Sequence, residues 1–212
     1  MIKRMIVLAV AAGAATSYAA DFTSLGALSQ DEFAALSRDL GAAFSYKGVT
    51  PATPLGAVGF DVGVEVTDTR MENSSAFQHA GAGSHSDLVI PKLHVYKGLP
   101  GGFDIGAFAG GATQVSASVY GADLRYAILD DGLATPAVAV RLSGTKSAGL
   151  GDLSMSTAAL DVMVSKQFTA FTPYAGAGAV RVMSRASGTD LAEERFNKGR
   201  VFGGLNVNLI GM

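Results

Sequence analysis

The sequence predicts an all-β protein, an antiparallel transmembrane β-barrel preceded by one N-terminal amphipathic helix. Three observations lead to this prediction. The chain of 212 residues is 49% hydrophobic and only 16% charged, whereas soluble domains carry about 25% charged residues. From residue 56 onward, large apolar side chains recur at every second position, which places them on one face of a strand. Long and short connections alternate between these segments, which is typical of outer-membrane barrels.

Composition excludes several other classes of protein. The net charge is −2 and Lys and Arg are not clustered, so the chain has no basic surface of the kind that binds nucleic acid. Cysteine is absent, which excludes disulfides, thiolate zinc sites and cysteine nucleophiles. No stretch reaches the 18 consecutive apolar residues expected of a membrane-spanning helix.

The N-terminus predicts export from the cytoplasm. Lys3 and Arg4 precede an apolar run over residues 5–15, and Ser17 and Ala19 are small residues suited to signal peptidase. A membrane anchor is the weaker alternative, because the run is shorter than the ~20 residues that span a bilayer. We therefore assign residues 1–19 to a signal peptide and expect the mature chain in the cell outer membrane.

Residues 20–55 are predicted to form a helix and a linker, ahead of a barrel over residues 56–212. The helix covers residues 29–43, because Ser29 and Glu32 have capping-box spacing. Its apolar residues share one face: Phe33, Leu36, Leu40 and Phe44. We expect this helix to plug or cap the barrel. A position on the membrane surface is less favoured because Arg38 is its only basic residue.

Eight strands are predicted from the alternating pattern. They cover residues 58–67, 88–97, 103–110, 119–129, 136–143, 158–168, 173–184 and 201–209. The side chains expected to face lipid include Val58, Phe60, Val62, Val64, Leu160, Val162, Leu205 and Val207. Val62→Arg should therefore block membrane assembly, whereas Gly63→Ser should be tolerated.

The opposite face of the strands distinguishes a membrane barrel from a soluble one. A soluble β-sandwich or lipocalin-type barrel would need an outer face rich in Lys, Glu and Thr. The second face instead carries Gly, Ala, Ser and scattered charges, as the crowded interior of a small barrel would. The membrane barrel is the favoured interpretation.

The charged residues of this second face form the candidate site. They are Asp61, Glu65, Lys92, His94, Asp104, Asp123, Arg125, Arg141 and Asp161. Buried charges persist when they are paired, so Arg125 and Arg141 should each have a carboxylate partner. The network either fills and stabilises the barrel or binds and conducts a small polar solute.

The sequence carries no convincing catalytic or cofactor motif. Ser84, His79, His85 and Asp87 lie in one polar loop, but catalytic triads are assembled from separate elements. The spacing of the same two histidines, six residues apart in a loop, is only weak evidence for a metal site. We therefore predict that the chain is not an enzyme and has no cofactor or metal. Its expected partners are outer-membrane lipid and, as a second candidate, a small solute. Nucleic acid is not expected, and the oligomeric state is left open.

Four segments of the chain resemble a known group of proteins. LSQDEFAALSRDLGAAFSYKGVTPATPLGAVGFDVGVEV begins at Leu28, and VIPKLHVYKGLPGGFDIGAF, YGADLRYAILDDGLATPAVAVR and FTPYAGAGAV follow it. They resemble an uncharacterised family of proteobacterial outer-membrane β-barrel proteins. HVYKGLP followed by FDIGAF is the most specific part. The resemblance implies a barrel in the outer membrane and no particular activity or substrate.

The resemblance also implies a C-terminal strand that ends in Phe, whereas this chain ends in Leu209-Ile210-Gly211-Met212. We therefore expect ten strands in the intact protein and an open seam between the first and last strands here. The predicted function is a small channel or a binding barrel for small solutes. The alternative is a non-conducting structural or interaction barrel with a plugged interior.

Overall fold

A computed structural model describes residues 21–47, 50–169 and 171–207. A 3-10 turn at Leu25–Ala27 precedes helix α1 (Gln30–Phe44), and a second helix, α2 (Ser74–His79), follows the first strand. The eight strands are β1 (Phe60–Arg70), β2 (Asp87–Leu99), β3 (Phe103–Gly111), β4 (Ser118–Leu129), β5 (Ala137–Ala148), β6 (Leu153–Ser165), β7 (Phe171–Ala186) and β8 (Glu194–Val207). The predicted signal peptide and residues 208–212 lie outside the described residues.

The strands form one antiparallel sheet in the order β1 to β8, curled around α1. Each strand pairs with the next along the chain, so the topology is a meander. The predictions of eight antiparallel strands and of an N-terminal amphipathic helix are confirmed. Gly101 and Gly102 adopt positive φ in the turn between β2 and β3, a conformation that glycine adopts without steric cost.

Several element bounds differ from the prediction. The loop between β1 and β2 contains α2, whereas we predicted a single helix. Strands β5 to β8 extend beyond their predicted bounds at the ends that face this loop. The pairing of Thr145 with Thr157 and of Asn197 with Arg181 shows the extension. These segments carry few large apolar residues and still continue the backbone ladder, so the connections at residues 149–152 and 187–193 are shorter than predicted.

The convex face of the sheet is apolar and accessible. The side chains of Val58, Phe60, Val62, Val64, Leu160, Val162 and Leu205 are exposed, as predicted for outward-facing residues. The side chain of Val207 lies outside the described residues. Leu142 on β5 and Leu124 on β4 are 57% and 43% exposed, so the apolar surface runs continuously around the sheet rather than forming one patch.

Helix α1 lies against the concave face. Ser29 and Glu32 form the predicted capping box. The apolar side of α1, which includes Leu36 and Leu40, packs on inward-facing apolar residues at the α2 end of the sheet. These strand residues are Leu88, Ile90, Val119, Met155, Val180 and Val182. The concave face is therefore apolar at one end and charged at the other, a division that the sequence analysis did not predict.

A seam separates the two edge strands. Among the described residues, no ladder pairs β1 with β8. A closed eight-stranded barrel has an interior just wide enough for side chains, whereas a helix with its side chains is about 10–12 Å across. A helix therefore fits poorly inside a closed eight-stranded barrel, and in this structure α1 occupies the concave face while β1 and β8 are not paired within the described ranges. The expectation of ten strands stays a prediction.

Candidate functional site: the charged interior of the sheet

A row of charged residues crosses the concave face at the end away from α2. Asp104, Arg125, Arg141, Asp161, Gly178 and Arg200 occupy successive strands from β3 to β8, and each is directly opposite the next. Directly opposed residues of an antiparallel sheet project from the same face. The row therefore concentrates five charged side chains in one layer of the interior.

Arg125 and Asp104 form the first ion pair of this row. Arg125 Nη2 and Nε donate to Asp104 Oδ2 at 2.7 and 3.1 Å, and both side chains are almost completely buried. Arg125 also donates to Thr50 Oγ1 at 3.0 Å and to the Pro51 carbonyl. The backbone N–H of Leu55 donates to Asp104 Oδ1 at 3.0 Å. This pair consequently fixes the linker between α1 and β1 inside the sheet.

Asp161 accepts hydrogen bonds from two arginines. Arg141 Nη2 lies 3.0 Å from Asp161 Oδ2, and Arg200 donates from Nη2 to Oδ2 at 2.6 Å and from Nε to Oδ1 at 2.8 Å. Arg200 reaches Asp161 across β7 because the intervening residue is Gly178. A Cβ at Gly178 would collide with the Asp161 carboxylate and the Leu160 carbonyl.

The same arginines hold the segment after α1. The Arg141 guanidinium lies 4.6 Å from the ring centroid of Tyr46 and 5.2 Å from that of Phe202. Arg200 Nη1 donates to the Tyr46 carbonyl at 2.5 Å, and the Tyr46 hydroxyl is hydrogen-bonded to Tyr96. The end of α1 is thus attached to the charged row by stacking, charge and hydrogen bonds together.

A second charged group lies on β1 and β2. Lys92 Nζ is 3.3 Å from Glu65 Oε1, and His94 lies 3.5 Å from Asp61 Oδ2 and 3.6 Å from Glu65 Oε2. A Cβ at Gly63 would lie 2.7 Å from His94 Nε2. Gly63→Ser therefore requires the His94 ring to shift, and its tolerance stays a prediction.

Asp123 differs from the other eight predicted residues. Within the described ranges it has no ion-pair partner, and its Oδ1 atom has no hydrogen-bond partner although the residue is buried. It lies beside Gly106, where a Cβ would meet both Asp123 and the Tyr96 ring. The other eight predicted residues all lie in ion pairs, and Arg200, which was not predicted, pairs with Asp161.

Two residues of the site, Arg200 and Tyr46, are not among those predicted from the sequence. Arg200 falls between the strands predicted over residues 173–184 and 201–209, whereas in the structure it lies within β8. The signal that could have found it is the alternation of Lys198, Arg200 and Phe202 on one face. Tyr46 follows the helix and carries no charge, so no pattern marked it.

The loop histidines have separate partners. His79 Nδ1 is 2.6 Å from Glu32 Oε1, and His85 Nε2 is 2.8 Å from the Ala82 carbonyl. Hydrogen bonds from the Ser29 backbone and from His79 lower the pKa of Glu32 to about 2. The pairing of Glu32 with His79 joins the start of α1 to α2. Within the described ranges, no cluster of His, Asp and Glu residues is arranged to hold a metal ion.

The interior is filled in the layer of the charged row and in the layer of α1. Arg141, Asp161, Phe33, Leu36 and Leu40 have no solvent exposure. Apart from Asp123, these charged residues pair with one another, and Arg125 and Arg200 also bind the chain's own linker. The arrangement can therefore stabilise a plug, and it leaves the axis of the sheet occluded at these residues.

No helix among the described residues is long and apolar enough to cross a membrane. No family model, curated protein or solved structure matches this chain.

Proposed function

We propose that this chain is an outer-membrane β-barrel protein whose interior is occupied by its own helix α1, so that it does not conduct along its axis. The observation that carries the proposal is the distribution of side chains over the two faces of the sheet, which is the reverse of that in a soluble protein. Apolar side chains are exposed all around the convex face, whereas Arg141 and Asp161 are fully buried on the concave face. A bilayer is the solvent that suits such an exterior.

The occluded interior favours a binding or interaction role over a channel. A channel needs a continuous polar path, but α1 fills one end of the concave face and the paired arginines fill the other. Replacing α1 by water would expose the apolar residues of β2, β4, β6 and β7 that it covers. The helix is therefore expected to stay in place in the resting protein.

Fractionation and conductance together test this proposal. The chain expressed with residues 1–19 is expected in the outer-membrane fraction and should resist extraction by alkaline carbonate. Purified protein should leave a planar bilayer silent, in a preparation where a general porin gives steps. Recovery in the soluble periplasmic fraction would contradict the membrane assignment, and reproducible steps from the parent chain would contradict the occluded interior.

A further inference from the structure

A cavity of about 380 Å³ lies at the seam. Thr67 and Asp68 of β1 line one side, residues 198–203 of β8 line the other, and residues 42–47 at the end of α1 lie behind it. Asp68 and Val201, which are exposed on the convex side of the edge strands, are among its lining residues, so the cavity reaches the convex face. Its volume falls within the ~300–1,000 Å³ range of small-molecule sites.

The polar lining of this cavity is mainly cationic. Lys47, Lys198 and Arg200 line it, and Asp68 is the single carboxylate among the lining residues. Arg200 is paired with Asp161, a carboxylate that it shares with Arg141. Lys47 donates to the Ala42 carbonyl, and within the described ranges neither Lys47 nor Lys198 has a carboxylate partner.

Apart from Ser45 and Thr67, the remaining lining consists of apolar, aromatic and glycine residues. Tyr46, Val180 and Phe202 lie on the interior side, and Val201, which is 85% exposed, lies at the outer rim. Burial lowers the pKa of Lys47 to about 8, and repulsion from Lys92, Arg200 and Lys198 contributes to the same shift. An anion placed between Lys47 and Lys198 would relieve that repulsion.

We propose that the seam cavity binds an anionic amphiphile, a single acyl chain with a carboxylate headgroup. The carboxylate pairs with Lys198 and Lys47, and the chain lies against Tyr46, Val180 and Phe202 and leaves the cavity beside Val201. A free small anion would use the two lysines but not the apolar lining, and a neutral amphiphile would use only the lining. Lateral entry from lipid rests on the proposed membrane location.

Titration calorimetry with dodecanoate tests the site. The full mature chain in a neutral maltoside detergent is titrated with dodecanoate, with dodecyltrimethylammonium as the cationic amphiphile of the same chain length, and with acetate as the headgroup alone. Dodecanoate should bind at one site, at least about tenfold more tightly than either of the other two ligands. Equal binding of dodecyltrimethylammonium or of acetate would overturn the proposal.

Lys198→Gln is the critical variant and Lys146→Gln is its matched control. Both lysines are exposed and both substitutions remove one positive charge, but Lys146 lies on the convex side of β5. Loss of a charge-assisted hydrogen bond should weaken dodecanoate binding about tenfold in Lys198→Gln and leave Lys146→Gln unchanged. Equal affinities in the two variants would overturn the site. If the parent protein is embedded in the membrane and gives no conductance steps but fails to bind dodecanoate, the proposed ligand site is refuted and the proposed function is not.

Discussion

Asp161 on β6 and Arg200 on β8 form an ion pair across an intervening strand, with Oδ2 and Nη2 2.6 Å apart. The contact is possible because Gly178 on β7 leaves the space between them open. Arg141 approaches the same carboxylate from the opposite side. This group joins four strands and, through the Tyr46 carbonyl, the end of α1.

Gly178→Ala should destabilise the fold by about 1–3 kcal/mol. The new methyl group would overlap the Asp161 carboxylate and the Leu160 carbonyl, and overpacking of this kind has costs in that range. Gly199→Ala is the control, because a Cβ there meets nothing within 4 Å. Urea unfolding in lipid vesicles, followed by far-UV circular dichroism, measures both variants. Equal midpoints would show that Gly178 does not make room for the pair.

Asp161→Asn should be more harmful than Arg200→Gln. Removing the carboxylate leaves two guanidinium groups without their anion, which costs about 3–5 kcal/mol for a buried pair, whereas Arg200→Gln leaves Arg141 as a partner. The double variant should show a coupling energy of about 0.5–3 kcal/mol. Asp190→Asn, at an exposed position in the loop after β7, controls for loss of one acidic group. Strict additivity of the two substitutions would contradict the shared pairing.

Leu160→Arg should prevent assembly in membranes. Leu160 is exposed on the convex face of β6, and an arginine at the bilayer midplane costs about 2–4 kcal/mol. Ser154→Arg is the control, because Ser154 is exposed on the same face of β6 but lies at the start of the strand, away from its middle. The yield of folded protein in vesicles measures the difference. Equal yields would show that this face does not lie in a bilayer.

The start of α1 should resist acid. The folded-state pKa of Glu32 is lowered to about 2 from its ordinary value of 4.5, so its stabilising contribution is complete above pH 4.5 and is lost as the pH falls through about 2. Carbon-13 titration of the Glu32 carboxyl should show a midpoint near 2 in the parent and a higher one in Ser29→Ala. A parent midpoint near 4.5 would contradict the capping geometry.

Strand number and facing could be predicted because alternation of Val and Leu with small residues is a direct signal of a strand with two unlike faces. The start of β8 could not be predicted in the same way. Asn197, which pairs with Arg181, is polar, and backbone pairing there does not depend on apolar side chains. Helix α2 is short and lies within a polar loop, so it gave no periodic signal.

The charged interior was only partly predictable. The nine residues could be named because each is flanked along its own strand by apolar residues, which point to the other face of the sheet. Which carboxylate pairs with which arginine could not be named, because it depends on the register between strands. Arg125 and Arg141 are directly opposed across β4 and β5, and each turns to a carboxylate on its other side. The role of Gly178 likewise depends on which residues flank it in the sheet.

A spin-label scan along β6 tests the central claim most directly. The chain has no cysteine, so single cysteines at positions 158 to 164 can be labelled without a background. Labels at 160 and 162 should be accessible to oxygen in lipid and protected from a water-soluble nickel reagent, whereas labels at 159 and 163 should be protected from both. Position 161 is left unlabelled, because replacing Asp161 would break its pairs with Arg141 and Arg200. This period of two is the predicted result. Access of the nickel reagent to 160 and 162 in vesicles would contradict a lipid-facing exterior around a filled interior.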